Sequence, residues 1–176
     1  MRKFALFFVS VMVAFSLNAC NAMLARISGK DGANLRDFGS RKSVKLSSQR
    51  SKSVVEELLK VQKKWQNTPY KLGGSSLSGA DCSGFIQSVF KEHFKANVPR
   101  TTVTQLQSGV SVRRDELEAG DIVFFRTGRG PNGLHTGIYV WDDEFIHLST
   151  KGGAKKVSLN SSYWKPKFIG ARRYLP

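Results

Sequence analysis

Three runs rich in β-branched and aromatic residues crowd the stretch from Asp121 to Ser149: DIVFFR (121–126), TGIYVW (136–141) and EFIHLS (144–149). The connections between them are too short to carry a crossover, so neighbours must pair antiparallel. Lys156–Leu159 and Gly170–Tyr174 read as a fourth and a fifth strand. Upstream the period changes. Val54, Leu58, Val61 and Trp65 recur at helical spacing, and Ile86, Phe90 and Phe94 form a second stripe flanked by Phe85 and Val89. Helices first and strands after define an α+β domain, with N-terminal helices packed on an antiparallel sheet of about five strands.

Local signals set the boundaries. Ser53-Val54-Val55-Glu56 has the form of a capping box, which starts the first helix and the folded domain (54–176) there. Asn67-Thr68-Pro69 ends that helix. The second helix runs from about Cys82 to Lys95 with Asp81 as its N-cap, and a short third one from Thr101 to Gln107. The loop Tyr70–Ser76 carries Gly73-Gly74. Without a following Gly-Lys-Ser/Thr it is a weak phosphate cradle. It reads better as a loop that passes close to a ligand or another backbone.

The N-terminus reads as an export signal. Arg2 and Lys3 precede fourteen uncharged residues, Phe4–Leu17. A membrane-spanning helix needs about 20 apolar residues, so this run suits a cleaved signal peptide (1–19). It ends in Leu17-Asn18-Ala19-Cys20, which resembles a bacterial lipobox whose cysteine carries the lipid; the other reading is ordinary cleavage near Ala19 or Ala22. Asn21 in place of an aspartate favours the outer membrane, facing the periplasm. Residues 20–53, rich in Ser, Gly, Lys and Arg with only two acids, read as a flexible basic tether.

The chain of 176 residues carries a formal charge of +15. That favours an acidic partner. Export argues against nucleic acid and leaves the membrane surface and cell-wall polymer. Only two cysteines are present, Cys20 and Cys82. With Cys20 lipidated, Cys82 has no partner, and an exported protein with one free thiol invites a chemical explanation.

Cys82 opens a helix, where the macrodipole favours a thiolate. Of three histidines, His93 reads as a surface residue, while His135 and His147 lie on adjacent strands. A hairpin with Trp141, Asp142 and Asp143 as its loop sets His147 opposite Gly137 and His135 diagonal to it, about 7–8 Å away. Gly137 leaves room for an imidazole to lean over. A two-residue loop would put the histidines on opposite faces. On this geometry Cys82 is the nucleophile, His135 the base and His147 its orienter. A thiolate–imidazolium pair is the expected resting state. Cys82, the two histidines and Asp81 also make a possible zinc set, although no two stand at typical metal spacing.

Tyr70-Lys71-Leu72-Gly73-Gly74, Asp81-Cys82-Ser83-Gly84-Phe85, Pro99-Arg100-Thr101, Gly120-Asp121-Ile122-Val123-Phe124 and His135-Thr136-Gly137-Ile138-Tyr139 occur in that order. Together they resemble the NlpC family of papain-like cell-wall cysteine peptidases, and within it the murein endopeptidase lipoproteins. The resemblance implies a papain-like α+β fold and hydrolysis of amide bonds in peptidoglycan stem peptides. It assigns nucleophile, base and third polar residue to Cys82, His135 and His147, and places Tyr70 in the cleft near the oxyanion. Backbone N–H groups at Cys82 or Ser83 complete that hole. It implies no metal or organic cofactor, peptidoglycan as the substrate partner, and a monomer. The alternatives are a non-catalytic wall-binding lipoprotein and an acyltransferase on the same fold.

Overall fold

Helix α1 spans Gly32–Trp65 in the computed structural model of the chain, which describes residues 32–129 and 131–176. The signal segment 1–19, Cys20 and the tether as far as Asp31 lie outside the described residues. From Gly32 onward the expected flexible tether is helical. Ser53 is not the cap: it sits mid-helix, and its hydroxyl donates to the Arg50 carbonyl at 2.8 Å. The segment contains no proline, and its Leu, Arg, Lys and Gln residues are good helix formers. It has no apolar stripe, which is why periodicity did not reveal it. The chain divides between Ser48 and Gln49, and Gln49–Pro176 forms the unit described below.

After α1 come a small hairpin, β1 (Ser75–Ser76) and β2 (Gly79–Ala80), then α2 (Cys82–His93) and α3 (Thr102–Gln107). The strands β3 (Val110–Val112), β4 (Ile122–Arg126), β5 (Leu134–Trp141), β6 (Glu144–Leu148), β7 (Ala154–Ser158) and β8 (Phe168–Arg173) follow. They form one sheet in the order β3-β8-β4-β5-β6-β7, every neighbouring pair antiparallel. The α+β expectation holds, with six strands in place of about five. The extra strand, β3, is three residues long and too short to show a period.

Alternation along the strands feeds two cores. Ile138, Val140, Ile146 and Leu148 join Leu58, Val61 and Trp65 of α1 and Phe85, Ile86, Val89 and Phe90 of α2. Trp65 and Phe85 meet edge to face at 5.1 Å. Full burial of each large apolar side chain contributes about 1.5–3 kcal/mol. The other cluster unites Val123, Phe125, Phe145 and Leu159 with Tyr139, Trp164 and Phe168.

The β5–β6 hairpin departs from expectation in an instructive way. Its turn is two residues, Asp142 and Asp143, both left-handed at φ 48° and 56°, as a type I′ hairpin requires. Yet Ile138 pairs with Ile146 and Tyr139 with Phe145, the register foreseen for a three-residue loop. A register shift between Tyr139 and Trp141 absorbs the difference. An extra residue in one strand restores the face that a shorter loop would have flipped.

Candidate active site

Asp81 builds the start of α2. Its Oδ1 accepts the Gly84 N–H at 2.7 Å, the expected cap, and its Oδ2 accepts the Gly73 N–H at 2.8 Å. Arg100 binds both oxygens of the same carboxylate, each at 2.9 Å, and also donates to the Gly74 carbonyl at 3.1 Å. Burial works against the Asp81 anion, but Arg100 and the two N–H groups hold its pKa below the ordinary carboxylate value. One ion pair thus fastens the Gly73-Gly74 loop to the helix. The loop does pass close to another backbone: a Cβ on Gly74 would lie 2.3 Å from the Gly79 carbonyl oxygen.

Cys82, a free cysteine only 6% exposed, occupies the first turn. Its Sγ lies 3.7 Å from Thr102 Oγ1. The backbone N–H groups of Thr136 and Ser83 favour its anion, against the larger effect of burial. Tyr70 is held beside it by the bridge of its backbone to Ala80, and the Tyr70 hydroxyl interacts with both the Cys82 thiol and the Cys82 backbone. Burial, with the neighbouring Cys82 and Asp81 charges, pushes the Tyr70 pKa up to about 12. Tyr70 therefore stays a donor at neutral pH. The Ser83 hydroxyl is engaged elsewhere, donating to Asp81 at 3.2 Å and accepting from Arg100 at 3.1 Å.

His135 and His147 are both buried, and His135 Nε2 stands 2.9 Å from His147 Nδ1. They fall on the alternate positions that carry Tyr139 and Phe145. Trp164 covers them, stacked on His135 at 5.6 Å and edge-on to His147 at 5.0 Å. Gly137 leaves no room for a leaning imidazole, because the Phe145 ring fills that space: a Cβ there would lie 2.5 Å from Phe145 Cδ2. The histidines meet across the diagonal without it.

Cys82 and the histidine pair face two adjoining cavities. One, of about 610 Å³, is lined by Cys82, Ser83, Arg100 and Thr102; the other, of about 260 Å³, by His135, His147 and Trp164. Tyr70 and Leu134 border both. No hydrogen bond joins the thiol to either histidine. Burial pushes the Cys82 pKa up and lowers His135 to about 4. Burial, aided by the charge of His135, lowers His147 to about 3. Burial thus works against the expected thiolate–imidazolium pair and favours a neutral thiol beside neutral imidazoles. Desolvation of the buried thiol and imidazoles outweighs the helix dipole.

His93 is not a surface residue. Its Nδ1 lies 2.6 Å from Glu57 Oε1 and ties α2 to α1. Among the described residues, no three His, Cys, Asp or Glu side chains converge as ligands of one metal ion. Two important side chains escape the sequence reading. Arg100 stands in a quoted motif but received no role, and Trp164 lies in an irregular segment with no periodic signal.

A helix that begins at a cysteine, set with an antiparallel sheet that pairs two histidines, defines a papain-like α+β protein. The NlpC/P60 family pattern matches residues 67–173, and the chain belongs to that family. It is 49% identical over 120 residues to a "Probable endopeptidase" of Haemophilus influenzae, covering 68% of this chain and 74% of that protein. It is 37% identical over 173 residues to the "Murein DD-endopeptidase MepS/Murein LD-carboxypeptidase" of Escherichia coli K12, covering 94% of this chain and 90% of that one. Among solved structures it resembles an NlpC/P60 family protein from Bacillus cereus, with a TM-score of 0.62 and 32% identity over 69% of this chain and 40% of the other.

Proposed function

We propose that the chain is a cysteine endopeptidase that hydrolyses amide bonds in peptidoglycan stem peptides or cross-links during cell-wall growth or remodelling. One relative is named a murein DD-endopeptidase and another a probable endopeptidase; murein itself lies outside the cytoplasm. The observation that carries the reading for this chain is the histidine pair at 2.9 Å, which borders a cavity adjoining the one that Cys82 lines.

In this account Cys82 is the nucleophile. Its proton passes to His135 as the sulfur attacks the carbonyl, since the resting thiol is neutral. His147 accepts from His135 Nε2–H and so leaves Nδ1 of His135 as the basic nitrogen, an orienting role. The N–H groups near Cys82 and Ser83 and the Tyr70 hydroxyl stabilise the oxyanion. His135 then protonates the leaving amine and activates water to release the acyl group. Ser83 acts through its main chain, because its hydroxyl is occupied by Asp81 and Arg100.

We further propose that residues 1–19 are a lipoprotein signal and that Cys20 carries the lipid. The domain is then a monomer anchored to the outer membrane on its periplasmic face. The support is the short apolar run that ends at Leu17-Asn18-Ala19-Cys20. Among the described residues no helix is long and apolar enough to cross a membrane. Digestion of purified sacculi, with muropeptides identified by mass, tests the enzymatic reading and decides between the D-Ala cross-link and the D-Glu–diamino acid bond. Sacculi left intact would overturn it.

A further inference from the structure

The histidine-side cavity has a one-sided charge. Arg129 and Lys151, both exposed, line it together with the hydroxyl residues Thr127, Ser149 and Thr150, and no acid among the described residues lines it. No hydrogen bond or ion pair among the described residues engages the side chain of Arg129 or Lys151. Elsewhere in this unit Arg100, Arg113 and Arg173 each hold a carboxylate, and Arg114 and Arg172 donate to carbonyl, amide or hydroxyl oxygens. The cavity, at about 260 Å³, admits far more than one water, which takes about 30 Å³.

Mechanism says which part of a substrate enters here. The group that protonates a departing amine must stand on the amine's side of the scissile bond. His135 lines this cavity, and Cys82 lines the other. The acyl part therefore lies toward Cys82 and the leaving residue toward Arg129 and Lys151. We propose that Arg129 and Lys151 form a carboxylate subsite that selects substrates whose released amine sits next to a free carboxylate. The inference rests on the peptidase reading above. An arginine recognises a carboxylate through a planar fork and a lysine through a point charge, so the pair combines geometry with reach.

The test uses two cross-linked stem-peptide dimers that differ only at the carboxyl group beside the cross-linking amine, free in one and a carboxamide in the other. The full chain is compared with Arg129→Gln, Lys151→Gln and the double variant, all substitutions at exposed positions, and products are read by mass. The free-carboxylate dimer should be favoured by about 10- to 100-fold in kcat/KM, the scale of one hydrogen bond to a charged group. Each single variant should narrow that ratio, and the double variant should bring it close to one. Equal kcat/KM for the two dimers would overturn the subsite, and so would an unchanged ratio in the double variant. Failure of the full chain to cut either dimer would instead remove the peptidase reading, and the subsite with it.

Discussion

His135 Nε2 and His147 Nδ1 face each other at 2.9 Å beneath the ring of Trp164. One proton lies between them. If His135 donates it, His135 Nδ1 is free to accept from a thiol; if His147 donates it, His135 Nδ1 carries a proton and cannot act as base. The pair thus makes the second histidine a selector of tautomer.

His135→Ala should lower kcat by about 10²- to 10⁴-fold, the usual worth of general acid–base catalysis. His147→Ala should lose less, about 10- to 100-fold, as partners that orient a histidine do elsewhere. His147→Gln should exceed the alanine variant, because an amide oxygen still accepts from His135 Nε2–H. Steady-state kinetics on a soluble muropeptide checks all three. A larger loss at His147 than at His135 would reverse their roles.

Both histidines are held neutral by burial, His135 at about 4 and His147 at about 3, against an ordinary value of 6.5. The acid limb of kcat/KM should therefore lie near pH 4. The sign for stability follows from the same shifts. A histidine with a lowered folded pKa contributes stability that is full above its unfolded value and is lost as pH falls through the folded one. Urea midpoints should hold down to about pH 6.5 and decline progressively toward pH 4 and below. A titration of the imidazole C2 protons with midpoints near 6.5 would contradict this.

Burial raises the Cys82 pKa. Alkylation by iodoacetamide should be slow at pH 7 and rise only at or above about pH 8.5, the ordinary thiol range. His135→Ala should leave that curve in place, because no imidazolium supports the thiolate at rest. A midpoint well below pH 7 that shifts upward in His135→Ala would restore the ion pair.

Gly84 sits in the first helical turn after Cys82, yet alanine should not help there. Its Cβ would fall 2.1 Å from the Gly74 carbonyl oxygen, a backbone atom. Gly84→Ala should force the Gly73-Gly74 loop off the helix, weaken the Asp81–Arg100 bonds and lower stability by about 1–3 kcal/mol, the usual cost of overpacking. Thermal melts against wild type measure it. An unchanged melting temperature would show that the loop yields freely.

Much of this arrangement is legible in the sequence. The stripe through Leu58, Val61 and Trp65, the Asp81 cap and the pairing of β5 with β6 follow from periodicity and turn chemistry, which are local. What was hidden depends on contacts distant in sequence or on irregular backbone. The register shift before Trp141 compensates for a turn that alone would misplace His147. Trp164 reaches the histidines from a segment without alternation. The neutrality of Cys82 is a consequence of burial, which no local pattern records. Helix α1 upstream of Ser53 has helix-forming residues but no apolar stripe, so periodicity passes over it.

Lipidation at Cys20 has its own test. Cells fed a labelled fatty acid should yield labelled protein, and Cys20→Ala should be unlabelled, released from membranes and still active. A mature protein without label that begins at Met23 would favour a soluble exported enzyme.

The central claim is that Cys82 attacks a peptidoglycan amide. Cys82→Ser keeps nearly the same shape while replacing the thiol by a far less acidic hydroxyl. The direct measurement is the rate of muropeptide release from purified sacculi by wild type and by Cys82→Ser, with circular dichroism to confirm equal folding. The account predicts loss of release in the folded variant. Release at the wild-type rate would contradict it.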